Sequence, residues 1–176
     1  MPSLQSIDEF LALIKNDSTK LLGVTVGGHK ISPGQYLAKE EAQVAPKLSF
    51  NVTSGTYMVI SLDLDAPFPS FKLLGPILHW VQPGLSPSPK DNGVAEFTIG
   101  SPFVANYIGP APPPGSSPHR YAFFLYEQPP GFDGSKYAPA DGKNLSNWHR
   151  MRYNLEAFEK QAKLGPIIAA NYFCSN

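Results

Sequence analysis

At 176 residues with 42% hydrophobic and 12% aromatic content, the chain is long and apolar enough to bury one core, so residues 1–176 are read as a single domain. Fourteen basic and fourteen acidic residues cancel to zero formal charge and are spread along the chain, which excludes the basic footprint of a nucleic-acid binder. No apolar run approaches the roughly 18 residues of a transmembrane span, the N-terminus lacks signal-peptide character, and a lone cysteine, Cys174, builds no disulfide framework, so a cytoplasmic protein is expected.

In chain order, Ser6-Ile7-Asp8-Glu9 has the form of a capping box, and Ile7, Phe10, Leu11 and Ile14 behind it fall at helical spacing, predicting a short amphipathic helix. Leu21 to Val26, Gly27-Gly28 and His29 to Ile31 form a hairpin signal, the glycines supplying positive φ in a two-residue turn. Strands follow at Lys47 to Val52, Tyr57 to Leu64, Ile77 to Gln82 and Val94 to Ile99, with a Pro/Ser/Gly loop from Pro83 to Gly93. Tyr121 to Glu127 is a strongly apolar strand and 129 to 147 an irregular loop. Tyr153 to Leu164 has helical spacing ended by Gly165-Pro166, and Ile167 to Phe173 reads as a last buried strand. Nineteen prolines, about twice the usual ~5% share, belong to fixed loops on this scaffold. The expected fold is mostly β and antiparallel, with a few peripheral α-helices.

The strand from Tyr57 ends in Asp63-Leu64-Asp65-Ala66-Pro67, so its acidic end should lie at a sheet rim, where a pocket can form. His119 and Tyr121, two apart on a strand, share a face while Arg120 takes the other. Two readings stand for several of these residues. Asp65 either serves a pocket or caps the turn that Pro67 rigidifies. His79, in an apolar strand, is either a pocket residue or a hydrogen-bonded core histidine, and Arg120 is read as a structural ion-pair partner. Asp63, His79 and His119 lack a local metal-ligand spacing, so no metal is expected. No phosphate loop, nucleophile elbow or dinucleotide fingerprint is present, and no cofactor is called for.

Asp63-Leu64-Asp65-Ala66-Pro67 and Gly115-Ser116-Ser117-Pro118-His119-Arg120-Tyr121 resemble the two signatures of the phosphatidylethanolamine-binding protein family, which includes Raf kinase inhibitor proteins. Leu78-His79-Trp80, Tyr107-Ile108-Gly109 and Gly165-Pro166-Ile167 leading to Tyr172 support the resemblance, which spans the chain from about Leu21 onward. It implies a β-sandwich with a small anion-binding pocket lined by Asp63, His79, the backbone at Ala111, His119, Tyr121 and Tyr172. Imidazolium, phenol and backbone N–H are donors an anion needs, and Asp63 would support a charged histidine rather than touch the anion. Leu64 departs from the family's usual proline and Ala111 from its common glycine.

The loop from Phe68 to Ile77 is apolar where many relatives are charged. Phe68 and Phe71 either form a greasy pocket rim or pack on the domain's own surface. Two functions follow. One is a binding module for a small molecule with an anionic or oxygen-rich head, or for a protein partner docked at the rim. The other is a biosynthetic enzyme in which Asp63, His79, His119 and Tyr172 move protons in a dehydration, isomerisation or cyclisation of an apolar, polyketide-like substrate.

Overall fold

The computed structural model of the chain describes residues 4–88 and 94–176. Helix α1 (Leu4–Leu13) is followed by β1 (Gly23–Val26), β2 (His29–Lys30), β3 (Gln35–Tyr36), β4 (Lys47–Phe50), β5 (Tyr57–Asp63), β6 (Ile77–Ser88), β7 (Ala95–Ile99) and β8 (His119–Glu127), then by helix α2 (Leu155–Ala162) and β9 (Ala169–Ser175). These strands join in one curled sheet, ordered β2-β1-β4-β7-β6-β5-β8-β9-β3. Its named pairs are antiparallel except β3 with β9.

Period-two alternation on β5 and β8 builds two cores, one on each face. Met58, Ile60, Leu62, Ala122, Phe124 and Tyr126 face one side, where Ile7, Leu11 and Ile14, with Leu155 and Phe158 of α2, cover them. Val59, Tyr121, Phe123 and Leu125 face the other, where Val24, Val26, Leu48 and Phe97 from the outer strands close over them. The result is the mostly β sandwich with peripheral helices that the sequence implies.

Several boundaries differ from expectation. Helix α1 already includes Leu4, so Ser6 lies within the helix and not at the residue that precedes it. Strand β6 continues to Ser88, past Pro83 and Gly84, because it shifts register there and changes partner from β5 to β7. The rest of the expected loop, residues 89–93, lies outside the described residues. Gly27 and Gly28 both take positive φ (56° and 87°), as a type I′ hairpin turn requires. Helix α2 is capped by Asn154, whose side chain accepts from the Ala157 N–H at 2.9 Å.

Candidate functional site

A β-bulge delivers the central histidine. Ser61 and Leu62 of β5 pair with Trp80 and Leu78 of β6, leaving His79 as the extra residue. Leu78 packs in the helix-covered core and Trp80 in the opposite one. Such a bulge re-aims one side chain, and His79 lines a cavity together with Asp63 at the end of β5. The cavity has a volume of about 190 Å³ and is closed by Ile77, by Ile108, Gly109 and Ala111, and by Asn147, Arg150 and Met151. Gly109 is required in this wall, since a Cβ there would lie 2.8 Å from the Ala42 carbonyl oxygen. A larger cleft of about 680 Å³ lies between α1 and the end of α2. It is lined by Ser6, Glu159, Lys160 and Lys163 among apolar residues, and one oxygen of Glu159 accepts from the Tyr126 hydroxyl at 2.8 Å; the residues of the two sequence motifs gather at the smaller cavity instead.

The polar groups around that cavity form a defined network. Asp63 accepts from His119 Nδ1 at 2.8 Å through one oxygen and from the Asp65 N–H at 2.9 Å through the other. His119 Nε2 lies 2.8 Å from Ser116 Oγ, whose own proton goes to the Ser117 carbonyl at 2.9 Å. With Asp63 at Nδ1 and Ser116 Oγ placed to accept at Nε2, both ring nitrogens are placed to donate, an arrangement that favours the protonated ring. Burial works against that charge, but the hydrogen bond and charge of Asp63 outweigh it and hold the pKa above its usual value. His79 behaves oppositely. Burial pushes its pKa down, opposed only in part by the Ile108 bond and Asp63. Its Nδ1 donates to the Ile108 carbonyl at 2.8 Å, which leaves Nε2 as the nitrogen able to meet a ligand.

Arg150 is 1% exposed, yet its guanidinium bonds only neutral oxygens. It donates to the carbonyls of Leu145 (3.1 Å), Leu78 (3.2 Å) and Asn106 (3.0 Å) and to Asn106 Oδ1 (2.6 Å). Among the described residues it makes no ion pair. Tyr121 packs edge-on against His79 (centroids 5.0 Å apart, 76° between planes) and stacks beside His119. Its buried hydroxyl meets the hydrogen-bond criteria with no partner among the described residues, the Ala111 backbone being beside it, and burial raises its pKa.

Of the residues singled out from sequence, Asp63, His79 and Ala111 line the cavity, and His119 and Tyr121 stand behind it. Asp65 does not reach it. Its carboxylate is clamped by Arg120 Nε (2.8 Å), Arg120 Nη2 (2.9 Å) and Lys72 Nζ (2.7 Å). Burial alone would raise its pKa, but these partners hold it well below the usual range, so Asp65 anchors the loop as a turn and ion-pair residue. Tyr172 is also elsewhere. Tyr121 pairs with Phe173 across β8 and β9, so alternation sends Tyr172 through the opposite face into the helix-covered core, with Lys15 Nζ 5.9 Å from its ring centroid. Phe68 and Phe71 flank a turn closed by the Phe71 N–H donating to the Phe68 carbonyl at 2.8 Å; both are exposed and outside the cavity lining. Sequence reasoning missed Arg150, Met151 and Ser116. Arg150 and Met151 come from a stretch with no strand or helix period, while Ser116 sits within the second motif three residues before His119.

The sequence model described as "Phosphatidylethanolamine-binding protein" matches residues 25–173. The chain belongs to this family. Phomoidride biosynthesis cluster protein N of Talaromyces stipitatus is 33% identical over 174 residues, covering 89% of this chain and 84% of that protein. Carboxypeptidase Y inhibitor of Saccharomyces cerevisiae is 36% identical over 129 residues, covering 66% of this chain and 58% of that protein. The crystal structure of carboxypeptidase Y inhibitor complexed with the cognate proteinase matches with a TM-score of 0.72 at 26% identity, over 98% of this chain and 92% of that one. A Plasmodium vivax phosphatidylethanolamine-binding protein, at TM-score 0.62 and 15% identity over 99% of this chain and 97% of that one, shares the fold.

Proposed function

We propose that this chain binds a small molecule through an anionic or oxygen-rich head, of phosphate or carboxylate type, in the Asp63/His79 cavity. The observation that carries the reading is Arg150, a cation buried in the cavity wall with hydrogen bonds but no ion pair among the described residues. A buried charge is costly until opposite charge comes near. Asp63 is already matched by the His119 imidazolium, so an anion in the cavity is the balancing charge. His79 Nε2 becomes a donor to that anion by taking a proton, and the backbone at Ala111 borders the same space. The Talaromyces relative, named for a biosynthesis cluster, supports a ligand from small-molecule biosynthesis. The lone, half-buried Cys174 suits a cytoplasmic setting.

Calorimetric titration with phosphate and acetate tests this. Wild type should bind both, and Ala111→Leu, an exposed residue whose larger side chain would fill the cavity, should lose both while melting normally. Unchanged affinity in Ala111→Leu and in His79→Ala would overturn the assignment.

The fixed tautomer and lowered pKa of His79 favour one second reading, in which the same pocket moves protons. His79 would then be the proton acceptor. Asp63 and His119 would position the site, since both oxygens of Asp63 are occupied. Extracts of a strain lacking the gene, incubated with wild type or His79→Gln and followed by mass spectrometry, separate the two. Conversion by wild type alone supports the enzyme, and no conversion leaves the binding module.

A further inference from the structure

We propose that the cleft between α1 and the end of α2 is a second ligand site, one that takes an uncharged, largely apolar molecule through a hydroxyl group seated on Glu159. The cleft shares no lining residue with the Asp63/His79 cavity and does not rest on the reading of that cavity.

Size and lining are the first ground. About 680 Å³ falls within the ~300–1,000 Å³ of sites that enclose a small molecule. The apolar walls are Phe10 of α1 and Leu164, Pro166 and Ile167 from the chain that leaves α2. Phe10, Leu164 and Ile167 are half-buried, packed against the helix-covered core while also lining the cleft.

The second ground is a buried oxygen without a partner. Helical spacing turns Leu155, Phe158 and Ala162 of α2 inward, and Glu159 goes with them at 5% exposure. A carboxyl on the buried face of a helix is costly unless its oxygens are hydrogen-bonded. Oε1 accepts from the Tyr126 hydroxyl at 2.8 Å. Oε2 is buried and has no hydrogen-bond partner among the described residues. The bond from Tyr126 therefore accounts for one oxygen and leaves the other for a group entering from the cleft that Glu159 lines.

Charge is the third. Lys160 and Lys163 border the same cleft and make no ion pair among the described residues. Lys163 holds the left-handed cap position of α2 (φ 56°), where glycine is the usual residue, so a cation stands at this edge in spite of its backbone preference. Two ammonium groups at the edge oppose entry of a cation, and an ionised carboxyl within opposes an anion. A hydroxyl meets neither penalty. It donates to Oε2 when Glu159 is ionised and accepts from it when Glu159 is protonated, the form that burial favours by raising the pKa.

The test is a set of ligands that share one tail: decanol, decylammonium and decanoate, titrated by calorimetry into wild type, Gly165→Leu, Glu159→Leu and Glu159→Gln. Gly165 lines the cleft, and a Cβ there would meet nothing within 4 Å, so leucine occupies the space without a clash. Wild type should bind decanol roughly tenfold more tightly than either charged ligand, the scale of one hydrogen bond to a carboxyl. Gly165→Leu should lose decanol while melting like wild type. Glu159→Leu should bind decanol about tenfold more weakly and lose the preference for the alcohol. Glu159→Gln still offers an acceptor to Tyr126 and a polar group to the cleft, so it should keep decanol, which separates loss of the hydroxyl's partner from loss of the fold. Tightest binding of decanoate would make the lysines the receptor, and tightest binding of decylammonium would make the site an ion pair; either overturns the hydroxyl assignment. Unchanged decanol affinity in Gly165→Leu puts the ligand elsewhere and overturns the site, as does no binding by wild type. A lowered melting temperature in ligand-free Gly165→Leu would mean that the chain itself fills the cleft, and overturns it too.

Discussion

Anion binding should draw a proton onto His79. Free of ligand, this imidazole is held neutral by burial, its pKa below the usual 6.5. An anion at Nε2 favours the charged form and raises that pKa. Between the free and bound values, each unit of pH that must be overcome costs about 1.4 kcal/mol, so affinity should rise ~tenfold per unit as pH falls. For sulfate, which stays fully charged over this range, that means roughly tenfold tighter binding at about pH 6.5 than at about pH 7.5. The gain should level off below the free pKa. Calorimetry in buffers of different ionisation enthalpy should show net proton uptake with sulfate binding in the pH range where affinity rises on acidification. His79→Gln should bind more weakly at low pH and lose the pH dependence. The same sign governs stability. Because the folded pKa of His79 is depressed, its contribution is present above pH 6.5 and lost as pH falls toward the folded value, so the rise in melting temperature caused by sulfate should grow on acidification. Affinity that is flat from about pH 5.5 to 8, with no proton uptake, would refute the reasoning.

His119 has the opposite linkage: its raised folded pKa makes its stabilisation complete below pH 6.5 and lost as pH rises through the folded value, which urea unfolding across about pH 6 to 9 will show. Asp63→Asn should remove that dependence and cost roughly 3 kcal/mol at about pH 6, because it strips the carboxylate from a fully buried imidazolium. Phe71→Ser, at 60% exposure, should change unfolding free energy by less than about 0.5 kcal/mol. Phe124→Ala, buried between sheet and helices, should cost about 3–5 kcal/mol. A large loss in Phe71→Ser would mean that the loop packs on the domain itself.

The fold was legible because its central strands state their period plainly. Tyr57 to Asp63 and His119 to Glu127 are apolar and β-rich, and the Gly27-Gly28 turn fixes its hairpin by conformation alone. Strand β3 was not legible, since two residues paired through Phe173 and Cys174 carry no period. Asp63, His79 and His119 were singled out through the motifs that contain them, and the structure brings them near one another at the end of β5. What the motifs did not show was the division of labour: which histidine is charged depends on Ser116 and Asp63 flanking one ring and Ile108 capping the other. The bulge at His79 is equally silent, because it is set by the registers of Ser61 and Leu62 against Trp80 and Leu78. Tyr172 was misplaced for a simpler reason. Only the pairing of Tyr121 with Phe173 reveals that its neighbour in sequence points through the sheet. Arg150 required the irregular 143–153 stretch to be folded back on β6, which no local pattern announces.

The most direct test is a crystal of the protein grown or soaked with sulfate or acetate at about pH 6. The account predicts an anion in the cavity beside Arg150, within hydrogen-bond distance of His79 Nε2, with the Asp63–His119 contact intact and Asp65 still on Arg120. An anion bound to surface lysines alone, with His79 in contact only with protein, would contradict it.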